Sequence, residues 1–109
     1  MTWLKALVAA MELARIIAGE TPGCPMEAKL AVGHVHSRNA TWYGNASPTA
    51  VDVIVALTWQ NWPDPTDGAL YLLGPGDAAK LAEDLGTQSA HWSCPGTFVE
   101  AYQAKRWER

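Results

Sequence analysis

The stretch "LARIIAGETPGCPMEAKLAVGHVHSR", residues 13–38, predicts two helices joined by a sharp turn. Apolar residues recur at helical spacing before Gly19, which can break the first helix, and Pro22–Gly23 make its continuation unfavourable. One carboxylate, that of Glu20, therefore stands where a helix stops and the backbone turns. The residue is either an ordinary solvated glutamate at a helix end or a group with chemistry to perform.

Both predicted helices are amphipathic, over residues 3–18 and 25–38. Pro25 suits the first turn of the second helix, and Glu27 is favourable at the positive end of its dipole. The inner stripe of this helix is expected at Ala28, Ala31, Val32 and Val35. In the first helix the three-four spacing predicts a core face that contains Leu4, Leu7, Val8, Met11 and Arg15, broadened by Trp3, Ala10, Ala14 and Ile17.

A loop at residues 39–46, "NATWYGNA", separates the second helix from a third. Ser47 is expected as the N-cap of the third helix, with Pro48 at its first position. Apolar residues at 51, 54 and 55 mark one face, and the helix is expected to end near residues 59–62.

The remainder of the chain predicts a small sheet and one more helix. Residues 69–73, "ALYLL", favour a short buried strand, and Asp77 would cap a short helix that stops at Gly86. The segment 97–107 fits either a strand or a short helix. We therefore expect a helix-dominated α+β domain with one small sheet or hairpin, spanning residues 1–109 as a single domain.

Charge and hydropathy exclude several classes of function. The net charge is −3 and no run of Lys or Arg exceeds two residues, so a nucleic-acid interface is not expected. The apolar segment 4–17 is too short and too charged to span a bilayer. Glu12 also interrupts it, so it does not fit a signal peptide, and no export signal is visible.

Neither the cysteines nor the histidines form a recognisable catalytic or metal motif. Two separate thiols are the favoured interpretation of Cys24 and Cys94, and a disulfide is the alternative that sequence does not decide. His34 and His36 point in nearly opposite directions on a helix, so they cannot hold one metal ion. No phosphate-binding or nucleophile motif is present, and we expect no cofactor and no metal.

Glu20 is the carboxylate whose position suggests chemistry, because the other acidic residues suit turns, caps or solvated faces. A carboxyl between an apolar helix and a Pro-Gly turn can be partly desolvated, and desolvation favours the protonated form. A protonated carboxyl is what general acid cleavage of a glycosidic bond requires.

Two blocks of this chain resemble the bacterial cell wall hydrolase family typified by spore cortex-lytic enzymes. Residues 19–25 match that family's Gly-Glu-Ala/Thr-x-Gly-x-Pro turn, and residues 27–32 match its Glu-x-Lys/Gln-x-Ala-Val helix, with Ser37–Arg38 in place of Asn-Arg. Further on, residues 64–71 match its Asp-Pro-Thr-x-Gly-Ala-Leu-Tyr block. The blocks follow one another in the order that the family shows.

This resemblance implies a lysozyme-like fold, the glycan strand of peptidoglycan as substrate and Glu20 as catalytic acid. Members of this type act as lytic transglycosylases, which cut between N-acetylmuramic acid and N-acetylglucosamine with one acid and the sugar's own 6-hydroxyl. Tyr71 would then be a groove-lining hydroxyl, with a strand tyrosine whose ring packs in the core as the alternative. Aromatic residues that could stack on sugars, with plain packing as the alternative for each, are Trp42, Tyr43, Trp62 and Trp92.

The chain departs from the family around the expected groove. The loop at 39–46 is short and lacks the family's Gln-Phe-Ser element, and residues 72–75, "LLGP", replace an aromatic and an Asn before Pro. A non-catalytic glycan-binding or structural domain with the same fold is therefore the alternative function. Either protein would act at the bacterial cell wall, as an extracellular or a phage-delivered protein such as an endolysin, and its oligomeric state is left open.

Overall fold

The computed structural model describes residues 2–39, 44–75 and 86–103. Three helices precede the sheet in these ranges: α1, Thr2–Glu20; α2, Met26–Arg38; and α3, Ala50–Thr58, extended by the 3-10 turn Trp59–Asn61. The strands β1, Tyr71–Leu73, β2, Gln88–Cys94, and β3, Thr97–Tyr102, form an antiparallel sheet in the order β1-β3-β2. The expected α+β class with one small sheet is confirmed.

The second helix matches its prediction closely, and the first matches only in extent. The predicted inner stripe of α2 is confirmed, because Ala28, Ala31, Val32 and Val35 are all fully buried. The core face predicted for the start of α1 is wrong. Residues 2–9 are all exposed, and this helix buries only its second half, at Leu13, Ala14, Ile16, Ile17 and Ala18. None of the helices in the described ranges has the length and apolarity needed to cross a membrane.

The third helix begins two residues later than Ser47 and Pro48 suggest. Its N-cap is Thr49, whose side chain accepts a hydrogen bond from the backbone N–H of Asp52, and Asp52 in turn accepts one from the backbone N–H of Thr49. This capping box needs an acidic or amide side chain three residues after the cap. Thr49 has Asp52 at that position, whereas Ser47 would have Ala50, so the cap moves to Thr49.

Two of the three strands were predicted in part, and β2 was missed. The predicted strand 69–73 shortens to β1, and the start of the segment 97–107 forms β3 rather than a helix. The strands β2 and β3 form a hairpin in which Cys94 lies opposite Thr97 and Gly96 adopts a φ of 78° at the turn. A Pro-Gly pair between two strands was the available signal for this hairpin. The helix predicted at 77–85 lies outside the described residues.

The core lies between the helices and one face of the sheet. Leu72, Trp92, Val99 and Ala101 project from the strands into a cluster with the buried residues of all three helices. On the other sheet face, Leu73 and Tyr102 form a second, smaller buried cluster against which Tyr71 packs. Because side chains alternate along a strand, Tyr71 and Leu73 share the face opposite to Leu72.

A lysine, Lys29, is buried among these helices. The ammonium of Lys29 donates to Asp52 Oδ1 at 2.6 Å and to the carbonyl oxygen of Thr21 at 2.8 Å. Burial favours a raised pKa for Asp52, but hydrogen bonds from Lys29 and Thr49, with the charge of Lys29, outweigh it and lower that pKa. The carboxyl of Asp52 therefore stays ionised, and Lys29 joins α2 to both the α1–α2 turn and α3.

Replacing Lys29 by Met tests this buried ion pair. The substitution keeps a long apolar stem but leaves the carboxylate of Asp52 buried without its cation, so we expect a loss of about 3–5 kcal/mol in the free energy of unfolding. Urea denaturation measures it, with Arg15→Met as the control because Arg15 is an exposed cation on α1. Equal losses in the two variants would contradict the structural role of Lys29.

Candidate functional site

The turn that carries Glu20 is held in place by the hydrogen bonds of the next residue, Thr21. Glu20 is the last residue of α1 and is exposed, whereas Thr21 is fully buried. The hydroxyl of Thr21 donates to the carbonyl oxygen of Ile17 at 2.6 Å, and its own carbonyl accepts from Lys29 and from the backbone N–H of Cys24. The residue buried at this helix end is therefore Thr21 and not Glu20, so the desolvation expected for Glu20 is wrong.

A disulfide fastens this turn to the sheet. Cys24 and Cys94 are bonded, with their Cα atoms 4.9 Å apart, so the favoured interpretation of two separate thiols is wrong. Neither cysteine is free, so neither carries a thiol that could act as a nucleophile. The bond joins Cys24, two residues before the start of α2, to the last residue of β2. The end of the sheet is thereby held within a few residues of Glu20.

Trp92 also joins α2 to the sheet, and little of its surface is left for contact with a ligand. Its indole N–H donates to Glu27 Oε1 at 2.7 Å, and 9% of the residue is exposed. Stacking on a sugar needs an open ring face, and the ring of Trp92 is instead part of the core. Trp62, also expected to stack on sugars, is 50% exposed after the 3-10 turn, whereas Trp42 and Tyr43 lie outside the described residues.

The two blocks that carry the family resemblance meet in space at Arg38. Its guanidinium donates to the carbonyl oxygen of Ala69 at 2.9 Å and to the hydroxyl of Thr66 at 3.1 Å, and it pairs with Asp64 Oδ2 at 2.8 Å. The neighbouring side chain of Asn39 donates to the carbonyl oxygen of Leu70 at 2.9 Å. The end of α2 thus fixes the segment 64–70, which leads directly to Tyr71.

Asp64 organises that segment internally. Its carboxylate accepts hydrogen bonds from the backbone N–H and hydroxyl of Thr66 and from the backbone N–H of Gly68, at 2.7–3.0 Å. Burial alone would raise the pKa of Asp64, but these hydrogen bonds and the charge of Arg38 outweigh it and lower the pKa. The resulting loop bends sharply, with φ at 54° for Asp67 and 81° for Gly68.

Tyr71 is half-buried at the start of β1, on the sheet face that bears the smaller cluster. Its Cα partner on β3 is Tyr102, whose hydroxyl donates to Glu100 at 3.1 Å. Burial raises the pKa of Tyr102, and Glu100 raises it further. The predicted groove residue therefore stands beside other polar groups of the sheet.

A large cavity bounded by described residues lies elsewhere. It measures about 620 Å³ and runs between the first half of α1 and the carboxyl ends of α2 and α3. Trp3, Leu7, Trp59 and His36 line it. Burial lowers the pKa of His36, and the negative charge of Glu12 opposes this shift. Glu20 and Tyr71 do not line it. Leu13 is the last residue of α1 that lines the cavity, and Glu20 lies about 10 Å further along the helix axis.

A hydrogen-bonded row of polar side chains crosses β2 and β3. His91 contacts Glu100 through Nδ1 at 3.2 Å and Ser93 through Nε2 at 3.1 Å. Serine hydrolases use this order of hydroxyl, imidazole and carboxylate, but they also need an oxyanion hole and a pocket. His91 and Ser93 are exposed, and the row does not line the large cavity.

The described histidines and acidic residues do not assemble a metal centre. Within residues 2–39, 44–75 and 86–103, no three His, Cys, Asp or Glu side chains come together in a way that could hold a metal ion. His34 contacts the carbonyl oxygen of Trp62 at 3.0 Å, whereas His36 lines the large cavity, so the two rings diverge as predicted.

Comparisons of the chain with protein-family models, curated proteins and solved structures found no match. The kinship with cell wall hydrolases therefore stays an expectation from the two sequence blocks. The contacts of Arg38 add a physical link between these blocks, because a residue at the end of the first binds three residues of the second.

Substituting Arg38 by Lys tests whether the guanidinium holds the 64–70 segment. A lysine keeps the charge but cannot bond Ala69, Thr66 and Asp64 together, so we expect a loss of about 1–2 kcal/mol in stability. Hydrogen exchange should also accelerate at the amides of Gly68 and Ala69. Arg15→Lys, at an exposed site on α1, is the control and should change neither quantity.

The low pKa of Asp64 predicts a specific dependence of stability on pH. A carboxyl whose pKa is lower in the folded state stabilises the protein above its unfolded value, near 3.8, and this contribution is lost as the pH falls through the folded value. The destabilisation caused by Asp64→Asn should therefore be largest near neutral pH and shrink below pH 3.8. Denaturation at several pH values measures it. A pH-independent difference from the wild type would contradict the assignment.

Proposed function

We propose that this chain cleaves the glycan strand of peptidoglycan as a lytic transglycosylase, with Glu20 as general acid. The observation that carries the proposal is the fixed position of Glu20 at the junction of helices and sheet. Thr21, buried and bonded to Lys29, anchors the turn on one side, and the Cys24–Cys94 disulfide anchors it on the other. A general acid needs such a fixed position to reach the glycosidic oxygen.

The exposure of Glu20 suits a polymeric substrate. A glycan strand laid over the end of α1 would displace water from the carboxyl group, and loss of water favours the protonated form. Desolvation would then come from the substrate rather than from the protein. This account differs from the one the sequence suggested, in which the helix end itself buries the acid.

One carboxyl suffices for the reaction that we propose. Glu20 gives its proton to the oxygen that links N-acetylmuramic acid to N-acetylglucosamine, and the bond from the anomeric carbon to that oxygen breaks. The 6-hydroxyl of the same muramic acid residue forms the new bond to the anomeric carbon, and its proton passes to the carboxylate of Glu20. The products are a 1,6-anhydro end and a free 4-hydroxyl. No second carboxylate is needed to activate water.

The other proposed sugar contacts do not all rest on the same kind of observation. Tyr71 is supported by its position directly after the segment that Arg38 fixes. Trp42 and Tyr43 are proposed from their loop alone, and Trp92 is assigned to the junction with Glu27 instead. The disulfide supports action at the cell wall, because such bonds persist in the periplasm and outside the cell.

A second candidate function is glycan binding without cleavage. Two observations favour it: Glu20 is exposed, and it does not line the large cavity. Binding of a carbohydrate needs hydrogen-bonding groups and an aromatic surface but no group that delivers a proton. The two candidates therefore differ in the products released.

Incubation of the wild type and of Glu20→Gln with purified peptidoglycan tests the proposal. We expect 1,6-anhydro muropeptides, detected by mass spectrometry, from the wild type and at least a hundredfold less from the variant, since general acid catalysis contributes roughly 10²–10⁴-fold. Asp67→Asn is the matched control. It exchanges an exposed carboxylate for an amide at a positive φ that Asn tolerates, and it should release products like the wild type.

The alternatives give distinct outcomes in the same assay. Reducing ends instead of anhydro ends would assign hydrolysis by water, with Glu20 still the acid if Glu20→Gln abolishes them. Sedimentation of the wild type with peptidoglycan without any released product would support glycan binding. Equal product release from the wild type and from Glu20→Gln would overturn the role of Glu20.

A further inference from the structure

The first half of α1 carries large apolar side chains that the described structure leaves about half exposed. Leu4 and Val8 are 46% and 53% exposed, and Trp3 and Leu7 are also exposed. A helix with apolar residues around its circumference is normally buried, and a contiguous exposed apolar patch marks an interaction surface. The exposed part of α1 is therefore a candidate interaction surface.

Charged residues on this half of α1 indicate what the partner is. A shallow groove of about 350 Å³ is lined by Leu4, Lys5, Val8, Ala9 and Glu12. Lys5 and Glu12 are seven residues apart, so they lie on the same side of the helix, one cation and one anion on either side of Val8. We call these five residues the α1 seam.

We propose that the α1 seam docks a second copy of this chain, with the two α1 helices antiparallel about a twofold axis between Val8 and Ala9. This arrangement places Lys5 of each copy opposite Glu12 of the other. Val8 of one copy lies against the small Ala9 of the other, which lets the helices approach closely. A parallel arrangement would instead set Lys5 against Lys5 and Glu12 against Glu12.

The seam is complementary to itself, and this property favours a second copy over an unrelated partner. A twofold interface uses the same patch on both subunits, so each residue must match its counterpart across the axis. The seam meets that condition twice, once through the two opposite-charge pairs and once through the pairing of a larger apolar residue with a smaller one. The proposal is independent of the catalytic role of Glu20, which lies at the other end of α1.

The oligomeric state of the whole chain tests the proposal, measured by sedimentation equilibrium over a range of concentrations. We expect a concentration-dependent dimer. Val8→Asp places a charge at the centre of the seam and should raise the dissociation constant at least tenfold. Ile54→Asp is the matched control, because Ile54 is a β-branched residue of α3 with 54% exposure, and it should leave the dimer intact. Circular dichroism checks that both variants fold.

Charge reversal tests the antiparallel register without altering the apolar contacts. Lys5→Glu alone and Glu12→Lys alone each turn two attractive pairs into repulsive ones, so each should weaken the dimer about tenfold. A mixture of these two variants should form a heterodimer, and the double variant should dimerise like the wild type. A wild type that stays monomeric overturns the proposal, as does a dimer that Val8→Asp and both single reversals leave unchanged.

Discussion

The ammonium group of Lys29 donates to three oxygens, those of Asp52 and of the carbonyl and hydroxyl of Thr21, at 2.6–3.5 Å. These acceptors belong to α3 and to the α1–α2 turn, so one cation on α2 positions two other segments against that helix. Burying a charge away from water costs free energy, and the buried ammonium group is tolerated only because its acceptors surround it. The place where α1 ends, and hence the direction in which Glu20 leaves the helix, depends on this arrangement.

The sequence predicted the elements better than their environment. Periodicity identified α2 and its buried stripe because small and β-branched residues there meet other helices on every turn. The same rule failed at the start of α1, since apolar spacing indicates a face but not whether anything covers it. It also missed the burial of Lys29 and Asp52, because lysine and aspartate are normally exposed and their pairing depends on residues 23 positions apart.

In the candidate site, too, the sequence predicted the position of a residue but not its surroundings. Glu20 does stand at the end of α1, as the Gly-Glu-Thr-Pro-Gly order indicates. The buried neighbour Thr21 was not anticipated, since helical spacing carries no information about residues after the last turn. The role of Arg38 was missed as well, because a single arginine after an apolar stripe usually belongs to a solvated end. Its three acceptors lie 26–31 residues further along the chain.

The covalent bond between Cys24 and Cys94 closes a loop of 70 residues that holds α2, α3, β1 and most of β2. A peptide bond cut anywhere inside this loop would therefore leave both fragments joined. Their noncovalent contacts, among them the Lys29–Asp52 pair, would still act within one molecule at high effective concentration. Such a chain can be nicked by a protease without falling apart, and the nick becomes visible on a denaturing gel only after reduction.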